Sequence, residues 1–256
     1  MTSVDFGKTA SDYATHRAGF PPALLDRLAT FGIGTSGQRL VDLGTGTGTL
    51  ARQFAARGAT VTGLDPAAAM LEQARALDAA AGVSVDYRVG RAEETELPAA
   101  AFDAVTAGQC WHWFDRPTAA QEVARLLVPG GAVAIAHFDW LPLAGNVVAA
   151  TEALILDHNP AWAMAGGDGT HPAWFADLAG AGFVDLESFS FDVSVSYSHA
   201  DWRGRIRASA GVAASLTPDR VEAFDAAHAA LLASQFPDDP LGVPHRVWAL
   251  VGRKPD

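Results

Sequence analysis

Between residues 39 and 138, short apolar runs alternate with helix-patterned segments, and this rhythm restricts the chain to few folds. RLVDLG (39–44), ATVTGLD (59–65), VSVDYRVG (83–90), FDAVTAG (102–108) and AVAIAHF (132–138) read as strands. Between them, TLARQFAARG (49–58), PAAAMLEQARALDAAA (66–81) and a segment at 117–127 space their apolar residues as helices do. Gly58 and Gly82 stand at two helix ends, Pro66 opens a helix, and Pro129-Gly130-Gly131 closes another. Strands alternating with helices of this length imply βαβ units, a parallel sheet and right-handed crossovers.

After about residue 140 the pattern changes. Residues 141–170 hold no clear strand, and GGDGTHP (166–172) reads as a loop. FVDLESFSFDVSVSY (183–197) alternates strictly, as an antiparallel strand with one wetted face does. Helices are expected at 199–213 and 218–235, the second with Thr217 as N-cap and Pro218 at its first position. HRVWALVGRK (245–254) is a last strand. No repeat, low-complexity tract or linker divides the chain. One domain over 1–256 is therefore expected, with a core at 6–140 and additions at 141–175 and 199–240 that roof a site.

Hydrophobic residues make up 49% and charged residues 18%, enough for a sizeable core. The net charge of −11 argues against a surface that tracks nucleic-acid phosphates. Cys110 is the single cysteine, which excludes internal disulfides and any multi-cysteine metal site. No His or carboxylate spacing suggests a metal ligand set. MTSVDFGKTASDYATHR carries no apolar leader, and no run is long enough to span a bilayer, so a cytoplasmic protein without a membrane partner is expected.

In an open parallel sheet, ligands bind beyond the carboxyl ends of the strands. Asp42-Leu43-Gly44-Thr45-Gly46-Thr47-Gly48 stands at the first such end, where glycines permit a tight turn and close backbone approach. Asp65 stands at the second, 17 residues beyond Gly48, where a carboxylate can accept both hydroxyls of a ribose. Two cofactor types compete. The dinucleotide spacing G-x-G-x-x-G/A fails from Gly44, which ends at Thr49, but passes from Gly46, which ends at Ala51. The G-x-G-x-G run behind Asp42 suits a cationic ligand better, because a carboxylate beside the loop repels a pyrophosphate and helps orient an ammonium and a sulfonium.

VDLGTGTG resembles motif I of the class I S-adenosylmethionine-dependent methyltransferases, and VTGLDPAAAML resembles motif II. GRAEETELP and FDAVTAGQCWHWFD are similar to that family's adenine-binding segment and fourth strand, and LLVPGGAVAIAHF to the helix, turn and strand that follow. FGKTASDYATHRAGFPPALLDRL is similar to the entry helix of small-molecule members, among them the trans-aconitate and ubiquinone-type groups; HRVWALVGRKP resembles the final strand. The resemblance implies a Rossmann-like, seven-stranded, mostly parallel sheet in the order 3-2-1-4-5-7-6, its last strand antiparallel, with flanking helices and an α-helical roof. It implies S-adenosyl-L-methionine as cofactor and a small molecule as methyl acceptor. Asp42, Gly44, Thr45, Gly46 and Gly48 would serve the methionine part, and Asp65, Pro66 and Met70 the ribose side. Ala92 and Glu93 would meet the adenine, Gln109 and Trp111 the segment after strand four, and Tyr13 and Arg17 would close over the cofactor from the entry helix.

One residue departs from the family pattern. The usual G-D-A-E is here Gly90-Arg91-Ala92-Glu93, and Arg91 cannot accept a hydrogen bond from the adenine amino group. Either Glu93 takes that role or backbone groups near Ala92 do the reading. His112 and His137 are the candidate catalytic bases, since imidazole accepts a proton near neutrality; each reads equally as a packed histidine. Trp111 and Trp113 would shield a sulfonium by cation–π contact or else pack between strand and helix. Trp140, Trp162, Trp174, Phe175 and Trp202 would line an apolar pocket, which favours a hydrophobic or aromatic acceptor. Rival readings are a carboxylate O-methyltransferase gripping its substrate with Arg205 or Arg207, an NAD-dependent oxidoreductase, and a protein that binds S-adenosylmethionine without transferring its methyl group.

Overall fold

The computed structural model describes residues 19–256. Seven strands, β1 (Arg39–Leu43), β2 (Thr60–Asp65), β3 (Asp86–Val89), β4 (Phe102–Gly108), β5 (Leu127–Trp140), β6 (Val184–Tyr197) and β7 (Leu241–Arg253), form one sheet. Its order is β3-β2-β1-β4-β5-β7-β6, the order implied by the resemblance. The pairings β1–β2, β1–β4, β2–β3 and β4–β5 are parallel. This is a Rossmann-like, mostly parallel sheet. Leu40 to Leu43 of β1 are all buried, a continuous apolar run apart from Asp42, as in a parallel strand covered on both faces.

The helices among the described residues are α1 (Pro22–Ala29), α2 (Thr49–Ala56), α3 (Ala68–Ala81), α4 (Arg116–Leu126), α5 (Val147–His158), α6 (Trp174–Gly180), α7 (His199–Arg207) and α8 (Pro218–Gln235). Leu50, Ala51 and Phe54 bury one face of α2, and Ala119, Ala120, Val123 and Leu126 one face of α4. Asp115 caps α4 by accepting the Thr118 N–H. The described residues form two compact units. One comprises 19–138, 171–191 and 247–256, and the other 139–170 and 192–246. The first has its core around Val41, Leu43, Val105, Trp111, Ile135 and Trp248. The second has its own core, built on Val148, Ile155, Trp202, Ile206, Phe224 and Leu232.

Several boundaries differ from the sequence expectation. α3 starts at Ala68 rather than Pro66, because the Asp65 carboxylate takes the Ala67 N–H at 2.9 Å and holds the chain in a turn first. β5 begins at Leu127, so Pro129-Gly130-Gly131 lies inside it as an irregularity in its pairing with β4; Gly130 adopts φ 70°. α7 stops at Arg207 instead of continuing to 213, where the Ala213 N–H returns to the Arg207 carbonyl at 3.1 Å. Thr217 and Pro218 open α8 as expected, although the Thr217 side chain makes no capping bond. α5 occupies the stretch for which the sequence offered only the lack of a strand.

Candidate cofactor and acceptor site

The glycine loop hangs between the ends of β1 and β2. The Thr45 N–H donates to the Leu64 carbonyl and the Gly46 N–H to Asp65 Oδ2, each at 2.9 Å. Gly44, Gly46 and Gly48 have φ of 60°, 56° and 73°, a region costly to any residue with a Cβ. Their surroundings differ. A Cβ on Gly44 would lie 2.8 Å from the Cys110 Cβ, and one on Gly48 would lie 2.0 Å from the Tyr87 hydroxyl. On Gly46 the nearest atom would be Met70 Cε at 3.5 Å. Gly44 and Gly48 therefore bind the loop to its own fold, and Gly46 is the glycine that leaves room for something else.

The two acids divide the work. Asp42 is 2% exposed and accepts the Thr45 and Thr106 hydroxyls, each at 2.7 Å, so it staples the loop to β4 from beneath. Burial pushes its carboxyl up to about 6 against those two hydrogen bonds. Asp42 thus shapes the glycine loop through Thr45 and ties it to β4 through Thr106. Asp65 is half-buried and receives the Gly46 N–H on Oδ2 and the Ala67 N–H on Oδ1. Burial raises its carboxyl above the usual range, with both N–H groups opposing. A carboxylate offers about four acceptor positions; two remain after these bonds.

At the end of β3, Ala92 is buried, and Glu93 accepts the Asp115 N–H at 2.9 Å. Arg91, largely exposed, stands 3.4 Å from Glu93. The residue that departs from the family pattern is thus a surface counter-charge to the neighbouring acid. Pro66 is exposed and Met70 buried beside Gly46. Gln109 has φ 63°; its N–H donates to the Ala136 carbonyl and its side-chain amide to that of Phe138, fixing the chain just past the end of β4 to β5. Tyr13 and Arg17 lie outside the described residues.

The aromatic run after β4 splits. Trp111 is fully buried, donates from Nε1 to Asp177 Oδ2 at 3.0 Å and packs edge-on against Phe114. It is a core residue, and no face of its indole is exposed. Trp113 is 45% exposed and presents one. His112 is half-buried, with its ring 4.6 Å from that of Trp113 and 5.2 Å from that of His137. His137 is buried at the carboxyl end of β5. His171 and Trp174 pack against it and Trp248 packs on both of them, a grouping that sequence spacing did not suggest, since it joins three separate parts of the chain.

The second unit treats its expected site residues differently. Trp202 is core, its Nε1 donating to the Thr151 hydroxyl at 3.2 Å. Trp140 is half-buried and donates to Glu152 at 2.7 Å. Arg203 and Arg207 both bind Asp225; burial would raise that carboxyl, and the two guanidinium groups outweigh it and hold it low. Arg205 lies over the Trp140 ring at 4.7 Å. No helix among the described residues is long and apolar enough to cross a membrane.

A parallel sheet with a left-handed glycine loop at its first strand end and an acid at its second defines a nucleoside-cofactor protein of Rossmann-like type. The profile of the methyltransferase-domain family matches residues 41–135. An uncharacterized methyltransferase of Mycobacterium tuberculosis is 37% identical over 152 residues, covering 57% of this chain and 59% of that protein. The chain thus spans somewhat over half the length of this relative. Two solved structures show the same fold. Phosphoethanolamine N-methyltransferase 2 of Haemonchus contortus, solved with S-adenosyl-L-methionine, has a TM-score of 0.60 at 21% identity over all of this chain and 61% of that one. The [4+2]-cyclase SpnF has a TM-score of 0.56 at 23% identity over 94% and 84%. Residues 41–135 therefore carry a methyltransferase domain.

Proposed function

We propose that this chain transfers the methyl group of S-adenosylmethionine to an oxygen or nitrogen of a small hydrophobic or aromatic metabolite in the cytoplasm. The observation that carries the reading is the pairing of Gly46 with Asp65: the one loop glycine with room beside it is tied to a carboxylate with two acceptor positions left. Those residues fit the cofactor. The backbone at Gly46 admits the methionine part, and Asp65 accepts the two ribose hydroxyls. Ala92 and Glu93 border the adenine, with Pro66, Met70 and Gln109 along the same strand ends.

The cofactor, when bound, supplies a methyl group already activated on a sulfonium. The protein's part is to align the acceptor behind that methyl and keep water away. Trp113 offers an exposed ring for cation–π contact, and His112 or His137 accepts the acceptor's proton. In this reading 6–140 forms the cofactor side of one catalytic domain, and acceptor choice falls to residues of 141–175 and 199–240.

Calorimetric titration with S-adenosylmethionine and, separately, with NAD(H) tests the reading. Binding of NAD(H) alone would overturn it. Binding of S-adenosylmethionine with no S-adenosylhomocysteine released across an acceptor panel would favour a non-methylating protein of this fold. For a carboxylate acceptor the discriminating changes are Arg205→Ala and Arg207→Ala, which should then weaken substrate binding.

A further inference from the structure

His137 shares its surroundings with a second imidazole 34 positions along the chain. The His171 ring stacks flat on Trp174, with centroids 4.1 Å and planes 7° apart, and meets Trp248 edge-on at 5.4 Å. His137 lies 4.3 Å from His171 and 4.8 Å from Trp174, ring to ring. Ring nitrogens of the two histidines come within 4.8 Å of each other. The ring of His112 is 5.2 Å from that of His137.

Two imidazoles this close present their ring nitrogens to one small space. They are good joint hosts for a metal. Neutral imidazole nitrogen is a preferred donor for borderline divalent ions, which it binds at about 2.0–2.1 Å, so a tetrahedral ion wants its two nitrogens about 3.3 Å apart. The tryptophans hold the His171 ring in one plane, so little side-chain freedom is lost when an ion arrives. We propose that His137 and His171 bind a divalent transition-metal ion of the zinc type, with water or the acceptor completing the coordination. The ion would polarise the acceptor's oxygen or nitrogen and so replace His137 as the group that eases its deprotonation. The site goes beyond the methyl-donor reading and stands without it.

The test uses the full chain, free of any affinity tag and stripped of metal, titrated with Co2+ and followed by visible absorption, with Zn2+ as competitor. One Co2+ per chain, displaced by Zn2+, is expected. His171→Gln should weaken binding by roughly tenfold or more, as should His137→Gln, while His158→Gln in the other unit should not change it. His171 is partly exposed, so its variant keeps the test valid where the buried His137→Gln fails to fold; near-ultraviolet circular dichroism checks both. Absence of saturable Co2+ binding overturns the proposal. So does wild-type affinity in a folded His171→Gln. S-adenosylmethionine binding, measured on the same metal-free protein, tests the methyl-donor reading separately.

Discussion

The carboxylate of Asp65 accepts the backbone N–H of Gly46 at 2.9 Å, so the acid that ends β2 holds in place the loop that follows β1. Neighbouring parallel strands thereby share one corner, and the residue proposed to grip a ribose also sets the shape of the glycine turn. The same carboxylate takes the Ala67 N–H, which delays the start of α3 and leaves Pro66 exposed beside the corner.

Asp65→Asn should raise the Kd for S-adenosylmethionine by roughly 10- to 100-fold, since hydrogen bonds to a charged group are worth about 1.5–3 kcal/mol and the amide must turn a donor toward one partner. Calorimetry reads this directly. An unchanged Kd would remove Asp65 from the cofactor site.

The three loop glycines should respond differently to alanine. Gly48→Ala combines a left-handed backbone cost of about 1–2 kcal/mol with a clash against the Tyr87 hydroxyl, and should lower the melting temperature most. Gly46→Ala carries the backbone cost without the clash, so it should lose more cofactor affinity than stability. Thermal melts and calorimetry on both variants, compared side by side, decide it. Tyr87→Phe should partly restore Gly48→Ala by removing the nearest clashing atom.

Trp111→Phe should destabilise the first unit by about 1–3 kcal/mol, because it leaves the Asp177 carboxylate without its buried donor. Cofactor affinity should change far less than in Asp65→Asn. A variant with intact stability and lost cofactor binding would return Trp111 to the ligand site.

His228 is fully buried, bonds to the Thr151 hydroxyl at 3.2 Å through Nε2, and has no partner for Nδ1 among the described residues. Burial first, with Arg203 and Arg207 adding to it against the pull of Asp225, lowers its imidazole to about 4. The unfolded chain, with an ordinary histidine near 6.5, binds the proton more readily than the folded one. Stability from this group is therefore complete above pH 6.5 and is lost as pH falls toward 4, by about 3 kcal/mol in total. Urea midpoints measured from pH 7.5 to 4.5 should fall more steeply for the wild type than for His228→Gln.

The glycine loop, the acid at the end of β2 and the βα alternation were legible because each depends on residues close in sequence. A strand end, a left-handed turn and a helix start are local events that glycine spacing and apolar periodicity record. The doubts over single residues were not resolvable that way. Arg91 looked like a defect in the adenine site until its pairing with Glu93 placed it on the surface. Trp111 and Trp113 are two residues apart, yet one is core and the other exposed, because only Trp111 meets Asp177 of α6.

By itself the sequence determined the sheet, its parallel half, the cofactor corner and the class of ligand, since backbone geometry and burial pattern follow from local residue order. Tertiary structure alone decided which of those residues are buried among their neighbours and which stay open. It turned Asp42 inward onto two threonines, left room only at Gly46, and gathered His137, His171, Trp174 and Trp248 from distant parts of the chain. Contacts between segments far apart in sequence leave no periodicity behind, and packing forms them only once the strands have set their register.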